Sequence, residues 1–563
     1  MRHRSLCFAA LVLGLATAPL HAQVPVHKHY QPTDQQFDTP AESGARAPRL
    51  QNVGKHVFPV TTQSQQAQLF MNQGLSLAYG FNHAEAGRAF AEAARLDPNL
   101  AMAHWGMALV LGPNINAPMA PEEEPKALDH LKQAQALKSK ASQRERDFID
   151  ALAARYTGNH ENRVAADQAY AGAMRALVQK YPDDVDANTL YAESLMDLSP
   201  WNYWSRAGVP YERTADITAA LERAMKKEPD HTGALHLWIH LWEASNTPER
   251  AEAAADRLLP LAPAAGHLVH MPGHLFQRVG RYNDAVKANQ LAVVADEDYI
   301  SQCRAQGLYP MAYYPHNIHF LWFAATMAGE SKLAIDAADK TSKSIPVEAL
   351  KDVPLLQTFL LAHDYSLVRF GKWDEILALP APRADTLFTR ATRSYARGMA
   401  FIRKKDFAAA TKEIDTVKKI AGDPKLIAAP TSMSLNLADS VLRVAIEVLD
   451  GEFAAAQGNY DTAIAHLDRA VRYEDALIYT EPDDWHQPVR HNLGAVLLQA
   501  GRPVEAESVY WDDLRRHPKN GWSLFGLAQS LRAQNKMDEA KHIEADFKKA
   551  WADADVQLTA SRF

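Results

Sequence analysis

Residues 67–100 read AQLFMNQGLSLAYGFNHAEAGRAFAEAARLDPNL, and the spacing of small and large residues in this segment predicts the architecture. Gly74 and Ala86 stand at positions 8 and 20 of a 34-residue unit, and Phe90 stands at position 24. Small residues at these positions let two helices approach closely, and the large residue fills the space beside them. Pro98, at position 32, ends the second helix. The segment therefore predicts a helix–turn–helix unit.

The same spacing returns along most of the chain. It recurs at Gly280, Tyr282, Ala285 and Ala292; at Gly329 and Ala334; at Phe407 and Ala410; at Gly458, Tyr460, Ala463, Leu467 and Ala470; and at Gly501, Ala506 and Pro518. We count about eleven or twelve such units, several of them interrupted by insertions near 113–125, 201–210 and 299–315. No strand-like alternation competes with this pattern, so the sequence predicts an all-α solenoid.

This pattern resembles the tetratricopeptide repeat (TPR) superfamily over nearly all of the chain that follows residue 65. The resemblance implies a right-handed superhelix, with positions 2, 5, 9, 12 and 13 of each first helix facing a concave groove that binds a peptide or protein. The strings HLVHMPGH (267–274), YYPHNIHF (313–320) and DLSPWNYW (197–204), with the segment 501–531, further resemble an exported bacterial subgroup of that superfamily. For that subgroup the resemblance implies fold and export, but no reaction.

The first 22 residues have the features of a cleaved secretory signal peptide. Arg2 and Arg4 precede an apolar run from Leu6 to Leu20, and the small residue Ala22 ends the segment. We therefore predict a periplasmic or secreted protein. Residues 23–65 are polar and rich in turn formers, which indicates a flexible arm; residues 66–348 form repeats that carry a histidine-rich groove, and residues 349–563 form the remaining repeats.

Composition and charge exclude several kinds of partner. The chain has 563 residues, of which 47% are hydrophobic and 23% charged, as in a well-packed protein. Its formal net charge of −7 offers no broad basic surface, so we expect no nucleic-acid partner.

No apolar stretch after the leader reaches the roughly 18 residues of a membrane-spanning helix. Only Cys303 remains after the leader is removed, which precludes an internal disulfide. The oligomeric state stays open.

Seven histidines share the groove-facing register on three consecutive first helices. Each stands at position 2, 5 or 9 of its unit: His236, His240, His267, His270, His274, His316 and His319. Neighbouring first helices pack about 8–10 Å apart, and residues three or four apart share one helix face, so we expect the imidazoles to form one patch. Glu243 adjoins this patch, and Glu193 extends it along the preceding unit.

Imidazoles in this arrangement predict a transition-metal site. Imidazole with a neighbouring carboxylate suits Cu, Fe, Mn or Zn, and six or seven histidines are enough for two ions. Such a site could serve a metal-dependent oxidase or hydrolase. The alternative is a metal-free scaffold that holds a peptide or cell-envelope protein in the groove. We predict that aromatic residues of two insertions, Trp201, Trp204, Tyr313 and Tyr314, form a wall or lid over the groove. No catalytic residue is identified.

Overall fold

A computed structural model describes residues 44–303, 305, 309–351, 353–427 and 436–563. The predicted signal peptide and the first part of the predicted arm lie outside the described residues. Apart from isolated β-bridges, the described residues contain no β-structure. None of the described helices combines the length and apolarity that crossing a bilayer requires.

The described chain is built from 25 α-helices. Their bounds are α1 Gln65–Tyr79, α2 His83–Leu96, α3 Ala101–Leu109, α4 Glu123–Ala136, α5 Gln143–Ala153, α6 Arg163–Lys180, α7 Val185–Asp197, α8 Thr214–Lys227, α9 Thr232–Glu243, α10 Glu252–Leu258, α11 Gly266–Arg278, α12 Tyr282–Cys303, α13 Tyr314–Ala328, α14 Ser331–Ser344, α15 Ala362–Arg369, α16 Trp373–Ala378, α17 Leu387–Arg403, α18 Phe407–Ala421, α19 Pro424–Ile427, α20 Ala438–Ala456, α21 Tyr460–Ala476, α22 Val489–Gln499, α23 Pro503–Arg516, α24 Gly521–Ala533 and α25 Met537–Ala550.

Consecutive helices pack as hairpins. Leaving aside the short α19, the other 24 of the 25 described helices form twelve pairs, from α1 with α2 to α24 with α25. Each pair also packs against the next pair along the chain, as in other helical-repeat proteins. The all-α helical-repeat fold predicted from the sequence is thereby confirmed.

Glycines at the helix crossings show why the repeat spacing works. A Cβ atom added to Gly74 of α1 would lie 2.5 Å from the ring of Phe90, and one added to Gly106 of α3 would lie 2.6 Å from the same ring. The ring therefore fills the space that three helices leave between them, and only glycine fits on either side. The same arrangement recurs near the C-terminus with Gly494, Tyr510 and Gly526.

The described part of the predicted arm, residues 44–64, packs against the repeats rather than extending from them. Phe58 is fully buried, with its ring 5.6 Å from that of Trp105 and 5.8 Å from that of Phe148. The main-chain N–H of Thr61 donates a hydrogen bond to Glu145 at 2.6 Å. A few apolar anchors hold this otherwise polar segment, and anchors without periodicity leave no helical signal in the sequence.

The insertion predicted over 299–315 is largely ordered secondary structure. Its first residues extend α12, which runs for 22 residues and ends at Cys303. Residues 309–313 then form one π-helical turn that leads directly into α13.

Segments distant in sequence meet on the inner side of the helical stack. The ring of Tyr79, at the end of α1, lies against α9, where a Cβ atom on Gly233 would be 2.5 Å from it. From the other end of the chain, Tyr479 in the loop after α21 reaches α11, and the Arg278 guanidinium lies 5.5 Å from its ring centroid. The surface predicted as an open groove is therefore covered here from both sides.

Candidate metal centre

Three first helices bring six of the seven predicted histidines together. These six, which we call the six-histidine cluster, are His236 and His240 on α9, His267, His270 and His274 on α11, and His316 on α13. Neighbouring rings have centroids between 4.5 and 6.3 Å apart. His316 is half-buried and the other five are at most 2% exposed. The cluster is thus interior rather than a lining of an open groove.

The cluster divides into two sets of three imidazoles. His236, His240 and His267 form the first set; His270, His274 and His316 form the second set. Within each set, one nitrogen from every residue lies within 4.8 Å of the others. An ion bound at about 2.0–2.1 Å by three imidazoles needs nitrogens about 3.3–4.2 Å apart. Small side-chain shifts would therefore let each set enclose one ion.

Hydrogen bonds orient both α9 histidines of the first set. The Nδ1 of His236 lies 2.6 Å from the main-chain oxygen of Tyr79, and the Nδ1 of His240 lies 2.6 Å from Glu243 Oε1. Because a carbonyl or carboxylate oxygen only accepts, each Nδ1 carries the proton and each Nε2 presents a lone pair. Within the described structure, both Nε2 atoms are buried without a hydrogen-bond partner, as are both ring nitrogens of His267.

The second set is oriented in the same way. His270 Nδ1 donates to Asn289 Oδ1 at 2.6 Å, and the orientation of that amide is fixed because Asn289 Nδ2 donates to the Ala285 carbonyl at 2.8 Å. His274 Nδ1 lies 2.6 Å from Glu243 Oε2. The Nε2 atoms of His270 and His274 then face each other at 2.6 Å. Because two lone pairs repel each other at this distance, either one of the two nitrogens carries a proton or both bind the same cation.

The imidazole charges follow from burial and from two carboxylates. Burial would lower the pKa of His274, but Glu481 and Glu243 outweigh it and raise this pKa to about 10. Without a metal, His274 is therefore protonated and donates from Nε2 to His270. Burial holds the pKa of each of the other five imidazoles below its ordinary range, so they are neutral, which is the form that binds a metal.

Glu243 forms a hydrogen bond with one histidine of each set. It is fully buried, and its two oxygens accept from His240 and His274, on the nitrogens that face away from the candidate ions. The sequence predicts Glu243 as a ligand, and with His274 and Glu481 it forms a further group whose ligand atoms lie within 4.8 Å of one another. Glu481, from the loop before α22, contacts His274 Nδ1 and the hydroxyl of Tyr479. Glu481 was not predicted.

Two predicted ligands lie outside both sets. Glu193 is next to Asp197, which accepts a hydrogen bond from Arg155 at 2.6 Å; burial and the Asp197 charge raise the pKa of Glu193. The ring of His319 is stacked on Trp322 at 4.7 Å. Neither residue belongs to a group of potential ligands in the described part of the chain. Their roles as ligands stay predictions.

Two of the four predicted wall residues contact the cluster. The ring of Trp201 meets His240 edge-on at 5.1 Å, and the ring of Tyr313 meets His267 edge-on at 4.9 Å. These aromatic rings help to exclude water from the first set.

The other two predicted wall residues contact residues outside the cluster. Trp204 donates from Nε1 to the Leu241 carbonyl at 2.6 Å and packs on Trp242. Tyr314 donates to Glu297 at 2.9 Å on an exposed surface. Trp204 and Tyr314 are therefore not assigned to the centre.

Phe81 is a further aromatic cover, and the sequence gives no signal for it. Its ring lies 4.5 Å from His236 and 5.5 Å from His267. Its φ is 57°, and that of Trp201 is 63°, so both large residues occupy the left-handed region. This conformation costs on the order of 1–3 kcal/mol per residue and persists only where the surroundings impose it. The two strained aromatics both cover the first set.

Asn289 is a functional residue that the sequence could have revealed. It stands at position 24 of its unit, where Phe90 stands in the first unit. A Cβ atom on Gly273 would lie 2.6 Å from the Asn289 amide, so the amide occupies the slot of the usual large apolar side chain. A polar residue at a repeat position that is usually apolar is a sequence signal for a role other than packing.

A second histidine group provides a contrast within the same protein. His56 contacts Asp186 at 2.8 Å through Nε2 and Glu228 at 3.2 Å through Nδ1. His231 contacts Asp186 at 3.4 Å through Nε2, and its Nδ1 accepts from the Ala234 N–H at 3.0 Å. Every ring nitrogen here has a protein partner, so this group is a hydrogen-bond network. The unpartnered nitrogens of the first set are therefore informative.

Comparisons with known proteins give no family for this chain. No family model matches it, and no curated protein matches it in sequence. Among solved structures, a human IFIT1 dimer with m7Gppp-AAAA is 12% identical, with a TM-score of 0.32 and coverage of 80% of this chain and 90% of that chain. A human IFIT1 dimer with PPP-AAAA is 13% identical, with a TM-score of 0.29 and coverage of 88% and 92%. The TPR domain of P58(IPK) is 14% identical, with a TM-score of 0.21 and coverage of 84% and 98%.

TM-scores this low carry no argument about the chain, so the fold assignment depends on its own helix packing. The hairpins and glycine crossings define an all-α, TPR-like helical-repeat protein. Its distinguishing feature is the buried six-histidine cluster.

Proposed function

We propose that this chain is an exported metalloprotein whose six-histidine cluster binds a transition metal. The donors suit Cu, Fe, Mn or Zn: three imidazoles in each set, with the carboxylate of Glu243 beside both sets and that of Glu481 beside the second. The four anchored histidines have the outer hydrogen bonds that metal-bound imidazoles characteristically make. A metal ion would supply Lewis-acid or redox chemistry, while the protein's own residues orient the ligands and exclude water.

The single observation that carries the proposal is the pair of unpartnered Nε2 atoms on His236 and His240. A buried polar atom left without a partner costs about 1–3 kcal/mol. Here two such atoms are aimed, by hydrogen bonds on the opposite side of each ring, toward a third unpartnered imidazole, His267. A bound ion satisfies all three at once, whereas a purely structural role leaves the cost uncompensated.

Of the activities that the sequence leaves open, burial favours an oxidase over a hydrolase. Phe81, Trp201 and Tyr313 cover the first set, so a large hydrolysable substrate could not reach it without a rearrangement. Dioxygen and electrons can reach such a centre with little displacement of side chains. The same burial argues against a peptide held along this part of the groove.

Metal analysis of protein purified without an affinity tag tests the metal proposal. We expect retained metal and a higher melting temperature than that of chelator-treated protein, because an ion that binds only the folded state stabilises it. His240→Ala should reduce the metal content. His319→Ala is the matched control, since His319 is buried on α13 but lies outside both sets. Wild-type protein that retains none of Cu, Fe, Mn or Zn after loading would overturn the proposal.

Export is supported by the sequence of residues 1–22 alone, and it needs its own test. In a bacterial host we expect the mature protein outside the cytoplasm, beginning at Gln23. N-terminal sequencing and cell fractionation measure this directly. Full-length cytoplasmic protein that retains the leader would contradict export but would leave the metal proposal intact.

A further inference from the structure

We infer that the cluster holds two copper ions as a linked pair, one ion in each three-histidine set, with Glu243 coupling the two positions. This inference rests on the proposed function and deepens it by specifying the number of ions, the metal and the residue that connects them. Three independent features of the cluster lead to it.

The first feature is that the two sets share no ligand. Each has three imidazoles of its own, and α11 contributes His267 to the first set and His270 with His274 to the second. A single ion cannot use six imidazoles distributed in this way, because each set converges on a separate point. The sets are nonetheless adjacent, since the rings of His267 and His270 are 5.7 Å apart. Ions held by the two sets would therefore be neighbours.

The second feature is the position of Glu243. Its Oε1 lies 2.6 Å from His240 Nδ1 and its Oε2 lies 2.6 Å from His274 Nδ1, so one carboxylate serves a ligand of each set. Its aliphatic part is fully buried, which holds both hydrogen bonds in place. When one ion binds, it polarises its imidazole and thereby the shared carboxylate. Glu243 is a positioning residue for both ions.

The third feature is the type of donor in each set. Each set offers three imidazole nitrogens, and Glu243 and Glu481 contact the Nδ1 atoms of His240 and His274 rather than the Nε2 atoms. Oxygen ligands favour Mn, whereas imidazole suits copper, and a given nitrogen site binds copper more tightly than Mn, Fe or Zn. The donor sets therefore point to copper.

Anaerobic loading with Cu(I), followed by removal of excess metal and copper analysis, tests this inference. We expect two copper ions per chain in the wild type and in the control His319→Ala. His240→Ala and His316→Ala should each retain one ion, because each substitution damages one set only. Zero copper in the wild type would overturn this inference, whereas retention of none of Cu, Fe, Mn or Zn would count against the proposed function itself. One ion per chain that both alanine substitutions abolish would overturn the two-ion inference alone.

Glu243→Gln tests the link between the two positions. The amide keeps the size of the side chain but cannot accept at both positions, since its NH2 end only donates. We expect the affinity for both ions to fall by about 10–100-fold in competition with a Cu(I) chelator. A weakened affinity for one ion alone would overturn the coupling role. Far-UV circular dichroism checks that the variant is folded, and the two alanine variants keep the two-ion inference testable if it is not.

Discussion

The main-chain oxygen of Tyr79 accepts a hydrogen bond from His236 Nδ1 at 2.6 Å, although the two residues are 157 positions apart. The same tyrosine donates from its hydroxyl to Asp186 at 2.8 Å. The first hairpin is thus tied to α9 through its main chain and to α7 through a side chain. The main-chain contact orients the ring of His236, a candidate ligand on α9.

Phe81 should slow the exchange of bound metal. We expect Phe81→Ala to lower the free energy of unfolding by about 3–5 kcal/mol, as for other buried phenylalanines, and to speed metal transfer to a chelator because the first set is uncovered. Stopped-flow mixing with a chromogenic chelator measures that rate. Phe388→Ala, which removes an equally buried ring from α17, should destabilise the protein without changing the transfer rate of bound metal.

Asn289 should matter for metal binding more than for folding. Replacing it with leucine restores the apolar residue type of position 24 but removes the acceptor for His270 Nδ1. We expect the affinity of the second set to fall about 10–100-fold while the melting temperature changes little. Asn188→Leu, at a buried asparagine that donates to the Pro182 carbonyl, is the control. Equal metal affinity in Asn289→Leu and the wild type would contradict the assigned role.

Alanine substitutions at two glycines, one at a helix crossing and one on an exposed helix face, should change the stability in opposite directions. Gly74→Ala places a Cβ atom 2.5 Å from the Phe90 ring and should destabilise the protein by about 1–3 kcal/mol. Gly172→Ala, on an exposed face of α6 where nothing lies within 4 Å, should stabilise it by roughly 0.5–1 kcal/mol. Thermal unfolding compares the two. A stabilising Gly74→Ala would contradict the crossing geometry.

The contact of the arm with the repeats should weaken in alkali. Burial lowers the pKa of His56, but the hydrogen bonds and charges of Asp186 and Glu228 outweigh it and raise this pKa to about 10. A folded-state pKa above the unfolded value of about 6.5 means that protonated His56 stabilises the fold fully below that pH. The contribution is lost as the pH rises through about 10.

Melting temperatures recorded between pH 6 and pH 10 measure this loss. We expect the wild type to lose stability over that range, and His56→Gln to lack the part of the loss that His56 contributes. His542→Gln, at an exposed position of α25, serves as the control and should follow the wild type. Parallel curves for His56→Gln and the wild type would refute the assignment.

The repeat architecture and most of the cluster could be predicted because both depend on local periodicity. Gly74 and Phe90 fix the hairpin within 34 residues, and the same period places His240 beside His274. Phe81 and Glu481 could not be predicted, since they arrive from hairpins far along the chain. Their approach depends on small rotations accumulated over many repeats.

His319 shows where the register fails. It shares position 5 with His270, but its ring stacks on Trp322 and lies outside the second set. His316, one turn earlier on the same helix, belongs to that set. Repeat position alone therefore does not decide which neighbours a side chain on α13 contacts.

Because Tyr79 and Phe81 come from the first hairpin and Glu481 from the loop before α22, the centre draws on both ends of the described chain. Early repeats can fold during synthesis while later ones are still being made, but the cluster is fully enclosed only once residue 481 has been translated and the distant hairpins have docked. Under the proposed function, we therefore expect the ions to be held firmly only after that point.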